Sequence, residues 1–223
     1  MRFLSYLKEI FNNIVGIICH QKIKILHKSS NFIIINKECD IKINSNNKTE
    51  RTVHTMLKEV FPLLANEKLF HEYYFPHRLD FATSGLMCIP IHKEACRVVS
   101  STFLTRASKK YYIAIVRGLF SKEIVDIDIP IGEDIREKNI QKMCTANCKF
   151  CMKARTAKTI FIVLEKGLYD NYPATKVLVR PITGRRHQIR VHCTYIGHTI
   201  VGDYTYSNRK DTKPPRMFLH CLR

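Results

Sequence analysis

The stretch Phe75–Pro90, FPHRLDFATSGLMCIP, decides how the rest of this chain is read. One carboxylate, Asp80, follows Arg78-Leu79 and precedes the small polar turn Thr83-Ser84-Gly85, after which an apolar run begins at Leu86. An aspartate near a glycine is ordinarily the polar end of a surface turn, so its neighbours must show whether it does more. Upstream, Val53, Met56, Leu57, Val60, Phe61 and Leu64 recur at helical spacing after Thr52, and Pro62 marks the helix end. Downstream, Ala95, Val99 and Phe103 predict a second helix that closes in the basic stretch Thr105–Lys110. Tyr112, Ala114 and Val116 then share one face of a strand, with Tyr111, Ile113 and Ile115 on the other, and Gly118 ends it.

Further out, Asn31–Lys37, the alternating Asp40–Asn44, Thr159–Glu165 and Thr175–Pro181 read as strands, and a helix pattern runs from near His187 to about Tyr195. Residues 133–158 are polar and basic with little periodicity, which predicts an irregular excursion from the core. Strands with interspersed helices outside strict βαβ alternation indicate a mixed α+β fold. The expected organisation is an N-terminal extension over residues 1–22, amphipathic in pattern, followed by one domain over 23–223.

Charge narrows the function. Lys and Arg number 37 against 19 acids, a formal net charge of +18 spread along the chain, which points to a polyanionic partner, nucleic acid being the commonest. Nine cysteines without a pairing pattern argue for a reducing compartment rather than a disulfide scaffold. The N-terminus carries Glu9 and lacks a continuous apolar segment, unlike a secretory signal, and no run is long enough to span a bilayer. The sequence therefore predicts a soluble intracellular monomer of the cytoplasm or nucleus, with mitochondrial import as the alternative. No glycine-rich phosphate loop is present to hold a nucleotide cofactor. Thr83-Ser84-Gly85 lacks the G-x-S-x-G elbow of a serine hydrolase. His77, His187, His192 and His220 form no H-E-x-x-H pattern and read as packing or hydrogen-bonding residues.

A second stretch, Arg180–Cys193 (RPITGRRHQIRVHC), places a turn at Thr183-Gly184 before a helix whose first turns carry Arg185, Arg186, His187 and Arg190, an arrangement able to bind anions. HRLDFATSGL, Lys110-x-Tyr112-x-Ala114-x-Val116-x-Gly118, TGRRHQIRVH, Gly202-Asp203-x-x-Tyr206 and Leu219-His220 follow one another in order. Together they resemble the RluA-type family of RNA pseudouridine synthases, from about residue 23 to the end of the chain. The resemblance implies a long, bent, mainly antiparallel sheet with flanking helices and a central RNA cleft. It also implies isomerisation of uridine to pseudouridine within RNA, without cofactor or metal. Asp80 matches the family's catalytic aspartate, which would attack the sugar or the base or abstract a sugar proton. Arg190 matches its charge partner, Tyr112 the aromatic ring that stacks on the target base, and Ile189 an apolar pocket residue. Arg78 and Thr83 belong to the motif that shapes the aspartate loop, while Lys110, Arg185 and Arg186, with Lys109, are the candidates for phosphate contacts.

Two departures stand out. The family's Lys-Pro-x-Gly is Lys37-Glu38-Cys39-Asp40 here, so that loop is expected to differ. The chain also stops soon after Leu219-His220, where the family fold continues, and the sequence reads as truncated in its C-terminal strand region. The RNA-binding domain that often precedes this one in the family is expected to be absent, since it would need more than the first 22 residues. Both departures favour an alternative, a catalytically silent basic RNA-binding protein of the same fold. Cys144-x₃-Cys148-x₂-Cys151 supports a third, a zinc-dependent nucleic-acid module, but the sequence offers no evident fourth ligand.

Overall fold

Eleven strands and three α-helices make up the regular structure in a computed structural model that describes residues 23–47 and 49–223; the amphipathic N-terminal pattern lies outside the described residues. The main sheet runs β1 (Lys24–Lys28), β2 (Phe32–Lys37), β3 (Ser84–Pro90), β11 (Leu219–Cys221), β4 (Tyr112–Arg117), β10 (Tyr172–Pro181), β9 (Lys158–Tyr169) and β5 (Ile124–Asp128). Its pairs are antiparallel except β3 with β11. The fold is therefore α+β, with a mixed and mainly antiparallel sheet.

Burial follows position in that order. β4, near the middle, is buried on both faces from Ile113 to Val116, as a central strand of continuous apolar residues requires, whereas the edge strand β1 is exposed throughout. Helix α1 (Val53–Val60) packs Val53, Met56 and Leu57 onto Ile33, Ile35, Met87 and Ile89 of β2 and β3. Thr52 starts it with a reciprocal cap: its Oγ1 accepts from Thr55 N at 3.1 Å, and Thr55 Oγ1 accepts from Thr52 N at 2.9 Å. Helix α3 (Gln188–Tyr195) covers the other half, where Ile189 and Cys193 meet Ala114, Val116, Phe161, Val177 and Val179. Helix α2 (Lys93–Leu104) is more exposed. It ends by laying Phe103 against His77, with ring centroids 4.8 Å apart.

Two expectations are corrected. Residues 133–158 contain a second, three-stranded sheet in the order β7 (Met143–Thr145), β6 (Ile131–Asp134), β8 (Cys151–Arg155). Its strands are too short for periodicity to show, and cross-strand pairing supplies the order. Asp40–Asn44 is not a strand: Asp40 takes a left-handed conformation (φ 56°) and only Lys42 forms a bridge, although Ile41 and Ile43 are buried. The loop after Lys37, where the sequence departs from the family's Lys-Pro-x-Gly, is tightly held. The Lys37 side chain is 2% exposed, and its Nζ donates to the carbonyls of Glu38 (2.8 Å), Ile41 (2.8 Å) and Phe81 (3.0 Å). An aspartate tolerates the left-handed turn this path needs.

Gly85 lets the parallel β3–β11 pair form. Its φ is +121°, and any Cβ there would collide with the backbone of Cys221.

Candidate active site

The loop entering β3, the start of β4 and the segment between β10 and α3 face one another across a cleft of about 660 Å³. Asp80, Arg78 and Thr83 come from the first, Lys110 and Tyr112 from the second, Arg185 and Arg186 from the third, and Ile189 and Arg190 from the first turn of α3 that follows it. Nine of the ten candidate site residues thus line one cavity, whereas the tenth, Lys109, exposed nearby, does not.

The Asp80 loop is fixed from both sides. Thr83 N donates to Asp80 O at 3.1 Å, closing the turn, and buried Leu79 anchors it below. Lys37 grips the Phe81 carbonyl, one residue from the carboxylate. The Asp80 side chain keeps 23% of its accessibility. Burial pushes its carboxyl above the ordinary 3.8, while Arg190, Arg78, Arg186 and Lys37 oppose that shift. The Thr83 hydroxyl, buried beside it, has no hydrogen-bond partner among the described residues.

Arg190 faces two carboxylates. Its Nη1 lies 3.9 Å from Asp80 Oδ2, but its fork is taken by Asp203, with Nε to Oδ2 at 2.7 Å and Nη2 to Oδ1 at 2.8 Å. Asp203 is fully buried and also accepts from Tyr206 N at 3.1 Å, and the Tyr206 ring lies 4.8 Å from the guanidinium carbon. The nearer partner of the arginine is therefore Asp203, which the sequence showed only as part of Gly202-Asp203-x-x-Tyr206. Its signal was that spacing; its role is visible only in three dimensions.

Arg185, Arg186 and His187 lie before α3 rather than in its first turns, because His187 adopts φ 54°, ψ 18° and the helix starts at Gln188. Gln188 holds this turn. Its Oε1 accepts from Thr183 Oγ1 (2.6 Å) and Arg185 N (2.9 Å), and its Nε2 donates to Lys158 O and Thr159 Oγ1, both at 2.9 Å. Each polar atom of this buried amide is thus partnered. Lys110 Nζ donates to Thr183 O (3.2 Å) and Arg185 Nε to Thr156 O (2.9 Å), which leaves Arg78, Arg106 and Arg186 as the more exposed cations of the cleft.

His187 is neutral at ordinary pH. Burial, Arg190 and Arg186 depress it to about 3, and its Nδ1 lies 3.0 Å from Tyr206 Oη while Nε2 lies 4.0 Å from Asp80 Oδ2. Since Tyr206 Oη already accepts from Met143 N at 3.0 Å, its own hydrogen is free to point at Nδ1 and leave the imidazole proton on Nε2, toward Asp80. His77 is likewise held at about 4 by burial, its Nε2 accepting from Cys88 N at 2.9 Å. Burial raises the Tyr112 phenol well above 10, with Cys221 beside it adding to the shift, so the ring faces the cleft uncharged.

A mixed sheet with such a cleft along it is the build of a pseudouridine synthase. The family profile described as RNA pseudouridylate synthase matches residues 31–195, and the chain belongs to that family. It is similar to RNA pseudouridylate synthase domain-containing protein 1 of Danio rerio, at 43% identity over 202 residues, or 90% of this chain and 69% of that one. The Homo sapiens counterpart is 38% identical over 206 residues, 91% of this chain and 66% of that one. The dual-specificity RNA pseudouridine synthase RluA of Pasteurella multocida is 30% identical over 88% of this chain and 83% of its own. Among solved structures, human RNA Pseudouridylate Synthase Domain Containing 1 superposes with a TM-score of 0.80 at 34% identity, covering 92% of this chain and 79% of that one. The chain spans about two thirds of the length of the vertebrate relatives. This kinship supports isomerase function and RNA binding in general. No described helix is long and apolar enough to cross a membrane.

Proposed function

We propose that this chain isomerises uridine to pseudouridine within RNA, with Asp80 as the catalytic carboxylate. The observation that carries the proposal is the setting of Asp80: a part-buried carboxylate on a braced loop, ringed by Arg78, Arg186 and Arg190 in a cleft large enough for a nucleotide. The reaction breaks the N1–C1′ bond, turns the base in place and joins C5 to C1′. C5 gives up its proton and N1 gains one, so nothing is consumed. Attack on the sugar, attack on the base and removal of a sugar proton share one need, an ionised carboxylate beside the nucleoside. Burial opposes that ionisation and the three guanidinium groups favour it.

The other residues take roles that follow from their positions. The target base must leave its stack to reach Asp80. Tyr112 offers a ring to receive it and Ile189 an apolar wall. The unpartnered Thr83 hydroxyl is available to a nucleoside oxygen. Arg78, Arg186, Arg185 and Lys110 sit where the flanking phosphates would run, which positions the strand without reading sequence.

The test is Asp80→Asn, which keeps the shape and removes the charge. RNA from the source cell is incubated with each protein and its nucleosides are separated by chromatography. Wild type should yield pseudouridine and the variant none, with RNA affinity little changed. Equal product from both would remove Asp80 from the chemistry. Binding by both without product on every RNA tried would make the chain a silent RNA-binding protein of the same fold.

A further inference from the structure

The three-stranded sheet gathers a set of ligand-type side chains that the proposed reaction leaves unused. In its register Gly132 pairs with Cys144, and Asp134 with Cys151. Gly132 and Asp134 are two apart on β6, so Cys144, Cys151 and Asp134 share one face of the sheet. Cys148 sits in the connection between β7 and β8, which is folded back by Cys148 N donating to Thr145 O and Cys151 N to Cys148 O, both at 2.9 Å. The ligand atoms of Asp134, Cys144 and Cys148 lie within 4.8 Å of one another. Cys151 Sγ is 3.8 Å from the Cys144 carbonyl oxygen and stands over Gly132, where an added Cβ would come within 2.7 Å of it. The glycine leaves room for the sulfur.

We propose that Asp134, Cys144, Cys148 and Cys151 bind one zinc ion in a tetrahedral site that clamps β6, β7 and β8 together. Three thiolates and a carboxylate complete the ligand set for which the sequence offered no fourth member. Zinc–sulfur bonds of about 2.3 Å put tetrahedral ligands about 3.8 Å apart, so Asp134, Cys144 and Cys148 need move only about 1 Å or less to close on an ion, with Cys151 turning in from beside Cys144 as the fourth. The carboxylate is already aimed. Asp134 is 1% exposed, and Arg136 holds it through N and Nε to Oδ1 at 3.2 and 2.9 Å and Nη2 to Oδ2 at 2.7 Å, leaving a lone pair on Oδ2 for a metal. Arg136 Nη2 also lies 3.8 Å from Cys148 Sγ, so one guanidinium would serve two ligands as their outer hydrogen-bond partner and offset the negative charge.

Binding is a simple exchange: three thiols each release a proton, the carboxylate releases none, and one zinc(II) is taken up. The clamp also has something to hold. Strands of three to five residues bury little by themselves, and this sheet shares its small core of Ile131, Ala157, Val191 and Tyr206 with α3 and the Asp203 turn. Met143 N donates to the same Tyr206 hydroxyl that faces His187. The proposal stands apart from the isomerase reading, since it concerns a structural ion on a neighbouring sheet.

The reduced, metal-free full chain is titrated with cobalt(II) and then zinc(II). The expected result is one equivalent of cobalt with the visible bands of a tetrahedral ion and a near-ultraviolet thiolate charge-transfer band, both erased by zinc, with three protons released. Cys148→Ser and Asp134→Asn should each weaken binding at least about tenfold, while Cys96→Ser on α2 should not. On the wild type, zinc should shield Cys144, Cys148 and Cys151 from alkylation and leave Cys96 reactive, which decides the matter even where a variant fails to fold. A weak octahedral spectrum, an adventitious ion indifferent to Cys148→Ser, tight binding retained by Asp134→Asn, or equal alkylation with and without zinc would each overturn the proposal.

Discussion

Replacing Asp203 with asparagine should disarm the cleft from behind without touching any residue that faces the nucleoside. Arg190 and Asp203 are 6% and 1% exposed and joined by two charge-assisted bonds of 2.7 and 2.8 Å. Removing one member of a buried pair costs about 3–5 kcal/mol, because the other is left charged and unpaired. The asparagine oxygen keeps one acceptor, and Asp80, 3.9 Å away, takes up part of the freed charge, which favours the lower end. About 3 kcal/mol in a domain of this size lowers Tm by roughly 6–12 °C. The sign of the effect on Asp80 also follows. Burial holds its carboxyl above 3.8 and Arg190 opposes that shift. An arginine no longer shared with Asp203 opposes it more strongly, so the Asp80 pKa falls and the acid limb of kcat/KM moves to lower pH. Thermal unfolding at neutral pH and a pH–rate profile measure both. A double variant, Arg190→Met with Asp203→Asn, closes the cycle and should recover part of the stability through a coupling of about 0.5–3 kcal/mol. A Tm loss under about 2 °C, with strictly additive single variants, would refute the buried-pair reasoning.

Lys37→Met should cost about 2–3 kcal/mol in urea unfolding, since one buried and two part-buried carbonyls lose their donor; because one of them is Phe81 O, turnover should fall more than RNA affinity, and an equal loss of both would contradict the bracing role. RNA affinity should fall with salt. Arg78, Arg106, Lys110, Arg185 and Arg186 line the cleft, and about 4–5 phosphate contacts give a log–log slope of about −3 to −3.5 on single-stranded RNA. Arg186→Gln should reduce that slope by about 0.7, and a flat response would place the RNA elsewhere.

What the sequence revealed depended on how local the cause was. The three helices were legible because their apolar residues lie within a few positions of one another. β2, β4, β9 and β10 were legible as apolar runs. The small sheet was not, because its three- to five-residue strands owe their existence to one another. Asp80, Tyr112 and Arg190 lie far apart in sequence, and no periodicity joins them; only the order of the motifs did. The nearer partner of Arg190 was missed although its motif was noted, since a bidentate pair is a fact of packing. The hold on the Lys37 loop was hidden for a related reason: the ammonium at its start reaches carbonyls at 38, 41 and 81, which only the folded path brings together.

In the main sheet β1, β2 and β3 stand on one side of β11, and β4, β10, β9 and β5 on the other. Asp80 belongs to the loop entering the first group, while Tyr112 opens the second. Neither group contains the cleft. It comes into being only when Leu219–Cys221 docks between them, after a ribosome has already delivered both. That docking brings Ser84 beside His220 across 136 positions of chain, a closure that costs on the order of 4 kcal/mol in entropy before any contact repays it. Until then β3 and β4 present open edges, the kind that recruit strands from other molecules. A chain halted before β11 would therefore hold both halves of the site but lack the strand that joins them.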